Sequence, residues 1–183
     1  MVPIEYVALL LLFVFGFVGF VRKFPRELGA TVGYAAMLFM LAAAERYLGD
    51  AFYGTFLRAE DGVTNVALGK WFVYMGLIVL WVVILYAGDT LTFAGRWPPN
   101  PFSGAVFDVA VGLFNGWLVV WTAWFYTHSL GYPSSVFGVI VPTFSARAES
   151  WVRFAVPAIL PQAYAMWLLG GFLTLLIMLR VLK

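Results

Sequence analysis

Five stretches of this chain are apolar enough and long enough to cross a lipid bilayer, and almost every charged residue lies between them. A bilayer core about 30 Å thick requires roughly 20 mostly apolar residues in each crossing helix. The stretches are about Tyr6–Val21, Leu28–Ala44, Trp71–Gly88, Ser103–Phe125 and Tyr164–Val181. This pattern predicts an all-α fold, a polytopic membrane bundle of about five transmembrane helices.

Composition agrees with lipid as the surrounding solvent. Hydrophobic residues make up 63% of the chain and charged residues only 11%, whereas a soluble domain has about 25% charged residues. The chain has no cysteine, which excludes disulfides and thiolate chemistry, and its net charge of +2 is too small to indicate nucleic-acid binding. Aromatic residues at the span ends are predicted to anchor at the headgroup level: Trp71, Trp97, Trp124, Tyr126, Tyr164 and Trp167.

The first connection sets the expected orientation. The segment 22–27 places three basic residues, Arg22, Lys23 and Arg26, within six positions. Basic residues in short loops stay on the cytoplasmic side. We therefore expect a multi-pass protein with the N-terminus outside and the C-terminus in the cytoplasm.

Three other connections carry local predictions. The segment Thr143–Val156, between two prolines, has apolar residues at helical spacing and predicts an amphipathic helix in the outer interface. A short interfacial helix is predicted near Ala51–Leu57. Three prolines within Trp97–Pro101 predict a sharp cytoplasmic turn.

Small residues suggest where the first two helices meet. Gly16 and Gly19 lie late in the first stretch, and Gly29 and Gly33 form a small-x-x-x-small pattern early in the second. Such residues allow helix backbones to approach closely. We expect these glycines to form the facing surface of a hairpin between the first two helices.

The fourth stretch carries the strongest candidate for chemistry. Asp108, Gly112, Asn115 and Gly116 share one helical face by their three- and four-residue spacing. Polar groups inside membrane spans are often functional. This seam either lines a permeation route or partner contact, or forms a buried helix interface in which Asp108 pairs with a basic residue of the Arg22–Arg26 turn.

Other sites are weaker. His128 is the only histidine and could ligate a tetrapyrrole metal axially, or it could be an interfacial residue with no special role. The sequence contains no Ser/His/acid set, glycine-rich phosphate loop or metal-ligand cluster. We therefore predict no enzyme activity and no cofactor.

Several of these residues together resemble one membrane-protein family. The opening segment Met1–Tyr6, the glycines Gly16 and Gly19, the turn Arg22-x-Phe24-x-Arg26-Glu27-Leu28 and the segment Phe107-Asp108-x-x-x-Gly112-x-x-x-Gly116 are similar to the colicin V production protein (CvpA) family. The resemblance covers residues 1–125 as a four-span unit. Residues 126–163 then form an outer loop, and residues 164–183 add a fifth helix.

The chain also departs from the family pattern. Lys23 stands where the family usually has glycine, Val109 replaces the usual arginine after the aspartate, and the fifth span is additional. The resemblance implies a bacterial inner-membrane protein linked to toxin production or export. The leading interpretation is a non-enzymatic protein that acts through other membrane proteins. The family's motif positions here are Arg22, Arg26, Glu27, Asp108, Gly112 and Gly116. An accessory subunit of a respiratory or photosynthetic complex and a channel or transporter component are the alternatives.

Overall fold

The described part of the chain is built from helices. The computed structural model describes residues 4–48, 66–87, 101–132, 146–160 and 162–181, together with Phe52, and these residues contain no strand. The helices are α1 (Ile4–Arg22), α2 (Phe24–Tyr47), α3 (Val66–Ala87), α4 (Pro101–Ser129), α5 (Ala146–Val152), α6 (Val156–Ile159) and α7 (Gln162–Val181). The all-α fold class predicted from the sequence is confirmed.

Four of these helices are long and apolar enough to cross a bilayer. They are α1, α2, α3 and α4, and they coincide with the first four predicted stretches. The fold is therefore compatible with a membrane protein. Helix α7 falls on the fifth stretch and has 20 residues, of which the described apolar part is Tyr164–Leu175. That part alone is shorter than the roughly 20 residues that a crossing requires.

Helix α4 is the central element of the bundle. Helix α1 packs along it extensively, α2 and α3 also contact it, and α7 packs on α2. The main apolar core lies where α2, α3 and α4 meet, and its most buried members include Tyr34, Met37, Leu41, Tyr74 and Leu118. Because α4 contacts three long helices, its small and polar positions determine how the bundle closes.

A single residue joins α1 to α2. Lys23 has φ 73° and ψ 151°, a backbone conformation that side-chain-bearing residues rarely adopt. Its N–H donates to the Gly19 carbonyl, which ends α1, and its own carbonyl accepts from the Glu27 N–H, which starts α2. Pro25 lies in the first turn of α2, where its missing N–H leaves no helical bond unmade.

The glycines are not where the hairpin prediction placed them. Gly16 and Gly19 face α4, next to Leu113 and Gly112 respectively, and Gly33 faces Leu85 of α3. Gly29 is buried in α2. Helices α1 and α2 touch only slightly, because the one-residue turn lets α1 lean onto α4. The predicted facing surface between the first two helices is therefore wrong.

The opposite end of α4 is covered by short segments. The chain turns back after Ser129, and the Tyr132 N–H donates to the Thr127 carbonyl at 2.9 Å. The predicted amphipathic helix is present as the shorter α5 (Ala146–Val152), which buries Ala148 and Val152 and exposes Glu149. The predicted helix near Ala51–Leu57 and the turn Trp97–Pro101 lie outside the described residues, apart from Phe52 and Pro101.

Candidate functional site: a buried polar cluster

The Glu27 carboxylate is the centre of a polar cluster inside the apolar bundle. Its side chain has no solvent exposure, although it is only the fourth residue of α2. One carboxylate oxygen, Oε1, lies 3.3 Å from Nη1 of Arg22. The other, Oε2, accepts a hydrogen bond from the Tyr86 hydroxyl at 3.1 Å and one from Asn115 Nδ2 at 2.8 Å. Residues of α1, α2, α3 and α4 therefore converge on one carboxylate.

Asn115 joins α4 to α2 with both halves of its amide. Its Nδ2 also donates to the Glu27 backbone carbonyl at 3.0 Å. Its Oδ1 lies 2.7 Å from the Thr31 hydroxyl. The single proton of that hydroxyl is shared between Oδ1 and the Glu27 carbonyl, which is 3.0 Å away. Asn115 is fully buried, and a buried amide is tolerated only when its donors and acceptors are paired. This pairing fixes the register of α2 against α4.

Arg22 closes the cluster toward the end of the bundle. Its Nη2 donates to the Leu85 carbonyl at 3.1 Å, and its guanidinium lies 4.2 Å from the centre of the Tyr86 ring. Leu85 is in the last turn of α3, where backbone carbonyls lack helical partners and the helix dipole favours a cation. The guanidinium thus satisfies the end of one helix and the carboxylate of another.

Asp108 of α4 caps the start of α2. Its Oδ1 accepts from the Phe24 N–H at 2.6 Å, and its Oδ2 lies 3.3 Å from Nζ of Lys23. Lys23 supplies no side-chain cap to α2, so a carboxylate from a distant part of the sequence performs that role. Carboxylates at helix N-termini are stabilising because they accept from unpaired N–H groups. This is the ion pair that the packing interpretation of Asp108 expects.

Gly19 and Gly112 form the closest approach in this region. A Cβ atom on Gly112 would lie 2.5 Å from the Phe15 backbone carbonyl, and one on Gly19 would lie 2.5 Å from the Asp108 carbonyl. A Cβ on Gly116 would meet the Phe15 side chain at 2.7 Å. Because backbone atoms cannot move aside as side chains can, α1 and α4 require glycine at this crossing. The crossing places Asp108 beside the one-residue turn.

Two of the sequence candidates lie away from the cluster. Arg26 is exposed on the surface of α2. His128 lies at the opposite end of α4, with its Nδ1 3.2 Å from the Tyr132 hydroxyl. The same hydroxyl accepts from Trp124 Nε1 at 3.2 Å, and burial raises the pKa of Tyr132. His128 is therefore part of an aromatic cap that is separate from the Glu27 cluster.

Sequence reasoning missed Tyr86 and Thr31. Tyr86 and Thr31 lie in apolar stretches, and their hydroxyls alone give no signal that separates a buried partner from a lipid-facing residue. The aromatic prediction was partly wrong as well. Trp124 and Tyr126 are buried in the protein, whereas Tyr164 and Trp167 are exposed as anchoring requires.

The chemistry of this arrangement is charge compensation between helices. Two cations and two carboxylates, from Arg22, Lys23, Glu27 and Asp108, form two ion pairs within one region. Among the described residues, no group of three or more His, Cys, Asp or Glu side chains could hold a metal ion. No family model, curated protein or solved structure matches the chain.

Proposed function

We propose that this chain is a non-enzymatic integral membrane protein of the CvpA type that acts through partner proteins. One observation carries the proposal: the polar side chains of its motif segments are used to hold its own helices together. Glu27, Asn115 and Asp108 are each buried and each bonded to another helix. A chain built in this way serves as a rigid scaffold whose outer faces are free for other proteins.

The cost of charge in lipid supports this role. A charged side chain at the centre of a membrane helix costs about 2.5–3.5 kcal/mol on insertion scales. Such residues therefore persist only when they work in transport or catalysis, or when they are paired. Arg22 pairs with Glu27, and Lys23 pairs with Asp108, so the charges of the cluster are balanced without substrate.

The family relationship is part of the proposal and gains support from proximity. The arginine–glutamate turn and the aspartate–glycine segment, which carry the resemblance, are about 80 residues apart in the sequence. In the fold they touch, through the Phe24 N–H and Asp108 Oδ1 and through Gly19 and Gly112. Two motif segments that build one contact are expected to serve one structural purpose.

The channel alternative is less well supported. A permeation route along the seam requires that Asp108 and Asn115 line open space. Asn115 is instead covered by Glu27 and Thr31, and Asp108 by the start of α2. Flux of protons or ions through liposomes, abolished by Asp108→Asn, would favour the channel over the scaffold.

We further propose a bacterial inner-membrane location with the Arg22 end of the bundle in the cytoplasm. The chain has no cysteine, so single-cysteine variants give an unambiguous test. Arg26→Cys and Ser129→Cys place exposed thiols at opposite ends of the bundle. A membrane-impermeant maleimide should label Ser129→Cys in intact cells and Arg26→Cys only after permeabilisation. The reverse result would invert the orientation.

Partner binding is tested by gentle extraction from the cells that produce the chain. Wild type should migrate in a complex larger than its own 20.4 kDa, with a second membrane protein in constant ratio. Gly112→Leu should lose the complex because α1 is displaced from α4. Gly76→Leu is the matched control, since a Cβ at Gly76 meets no atom within 4 Å. A wild-type monomer, or a complex unaffected by Gly112→Leu, would contradict the proposal.

A further inference from the structure

An apolar groove lies on the side of the bundle where α1 and α3 diverge. Helices α1 and α3 form its walls, and α4 forms its floor. The groove has a volume of about 680 Å³, within the roughly 300–1,000 Å³ of pockets that hold one small molecule. Its lining is almost entirely apolar and includes Ala8, Leu11, Met75, Val79, Val120 and Ala123.

The groove covers about three fifths of the length of α1 and of α3. Its lining on α1 runs from Ile4 to Phe15, a distance of about 16 Å at 1.5 Å per residue. It closes where the Phe15 ring meets the Tyr86 ring, with centroids 5.9 Å apart. A hydrocarbon core about 30 Å thick gives each leaflet about 15 Å, so the groove has the depth of one leaflet.

The depth of the groove distinguishes between two possible occupants, a partner transmembrane helix and a lipid chain. A partner transmembrane helix runs the full thickness of the bilayer, and it would meet the closed Phe15–Tyr86 contact before it had crossed. A hydrocarbon chain from one leaflet ends at that depth. We propose that the groove binds one hydrocarbon chain of a bilayer lipid, from the leaflet nearest Ile4. This inference rests on the membrane location in the proposed function.

Among the described residues that line the mouth of the groove, the polar side chains favour recognition of the hydrocarbon chain of the lipid over its headgroup. Trp71 and Thr127 both line this end. The Trp71 Nε1–H donates to the Thr127 hydroxyl at 3.0 Å, and that hydroxyl lies 2.8 Å from the Ala123 carbonyl, to which it donates. These polar atoms are thus engaged with one another. We expect binding that depends little on headgroup charge.

Native mass spectrometry of the full chain, released from nanodiscs of phosphatidylethanolamine and phosphatidylglycerol, tests the inference. Wild type should retain one phospholipid, of either headgroup. Val79→Trp should lower the lipid-bound fraction at least tenfold, because Val79 is exposed on the groove wall and the larger ring fills the space. Val14→Trp is the matched control, since Val14 is exposed on α1 and outside the groove lining. It should bind lipid as wild type does.

Three results would overturn the inference: no retained lipid on wild type, equal retention by all three proteins, or a lipid-free dimer that Val79→Trp dissociates. The last result would assign the groove to a second copy of the chain. Carbonate extraction of membranes separates this failure from that of the proposed function. If the protein stays in the membrane but retains no lipid, only the inference of lipid binding in the groove is refuted. If carbonate releases the protein, the proposed membrane location is refuted.

Discussion

The two ends of α4 are held to their neighbours by different physics. At the Arg22 end, ion pairs and hydrogen bonds join four helices around Glu27, and glycines bring two backbones together. At the opposite end, indole N–H groups of Trp121 and Trp124 donate to Trp151 and Tyr132, and the helices separate to leave a groove. The Arg22 end is closed, and its polar bonds fix the register of the helices. The opposite end is open and is held mainly by aromatic side chains.

The contrast between the two ends shows how one bundle can fix its helices at one end and keep an open groove at the other. Each polar bond in an apolar setting requires one defined partner, because an unpaired group costs more than the bond contributes. Aromatic and aliphatic contacts tolerate small shifts. The Arg22 end therefore defines helix positions, and the Ile4 end retains space. Four predictions test this contrast, in order of decreasing change in stability.

Glu27→Ala should destabilise the chain most. It removes the carboxylate that compensates the Arg22 guanidinium and accepts one Asn115 N–H, and breaking a buried pair in this way costs about 3–5 kcal/mol. Unfolding of the purified chain in mixed micelles, titrated with dodecyl sulfate, measures the change. The double variant Arg22→Met, Glu27→Met should regain much of the loss. A loss below about 1 kcal/mol would mean that the ion pair does not hold the closed end.

Gly112→Ala should have the next largest effect. One added methyl group meets the Phe15 carbonyl, and overpacking of this kind typically costs about 1–3 kcal/mol. Gly76→Ala, on the open face of α3, should be neutral or stabilising by up to about 1 kcal/mol, because alanine favours a helix over glycine. The same unfolding assay compares the two variants. Equal effects would show that the close approach is unimportant.

Trp124→Phe tests the open end. It removes the indole donor to Tyr132 while keeping an aromatic ring, and a single hydrogen bond contributes about 1 kcal/mol. Tyr132→Phe removes the other partner, so the double variant should lose less than the sum of the two single losses. A loss as large as that of Glu27→Ala would remove the contrast between the ends.

Lys23→Gly should give the smallest net change, and in the stabilising direction. Glycine relieves the strain of the positive φ, which costs about 1–3 kcal/mol. It also loses the ion pair between the exposed Lys23 ammonium and the buried Asp108 carboxylate. That carboxylate keeps its bond from the Phe24 N–H, so we expect the loss to stay near the upper end of the range of about 0.2–1 kcal/mol for surface pairs. Lys23→Ala loses the ion pair without relieving the backbone. Thermal unfolding should therefore rank glycine above lysine and lysine above alanine, and any other order contradicts the strained turn.

Much of the fold could be predicted because apolar length alone locates the helices. The four long helices overlap their predicted stretches and extend a few residues beyond most of their ends, since a helix continues through polar end residues such as Glu5 and Thr127–Ser129. Asp108 and Asn115 were identifiable because a carboxylate and an amide are rare in an apolar stretch. Arg22 and Glu27 were identified as candidates from the family-like turn between the first two helices.

The pairing of helices could not be predicted in the same way. A glycine in a helix indicates that another backbone comes close, but it does not identify that backbone. Gly16 and Gly19 were therefore predicted to face α2, whereas they lie against α4. The groove gave no signal either, because its lining is as apolar as any lipid-facing surface. The buried role of Tyr86 could not be predicted either, because a tyrosine near the end of a span is typical of an interfacial anchor.

The one-residue link at Lys23 also has a consequence for biogenesis. A one-residue link is too short to let α1 cross the bilayer while α2 remains outside it, so the two helices are not expected to insert one after the other. In the proposed orientation we expect them to integrate as a pair, with Arg22 beside Glu27 when the start of α2 is buried among the other helices. A ribosome-bound fragment ending after Tyr47 should accordingly integrate more completely than α2 alone.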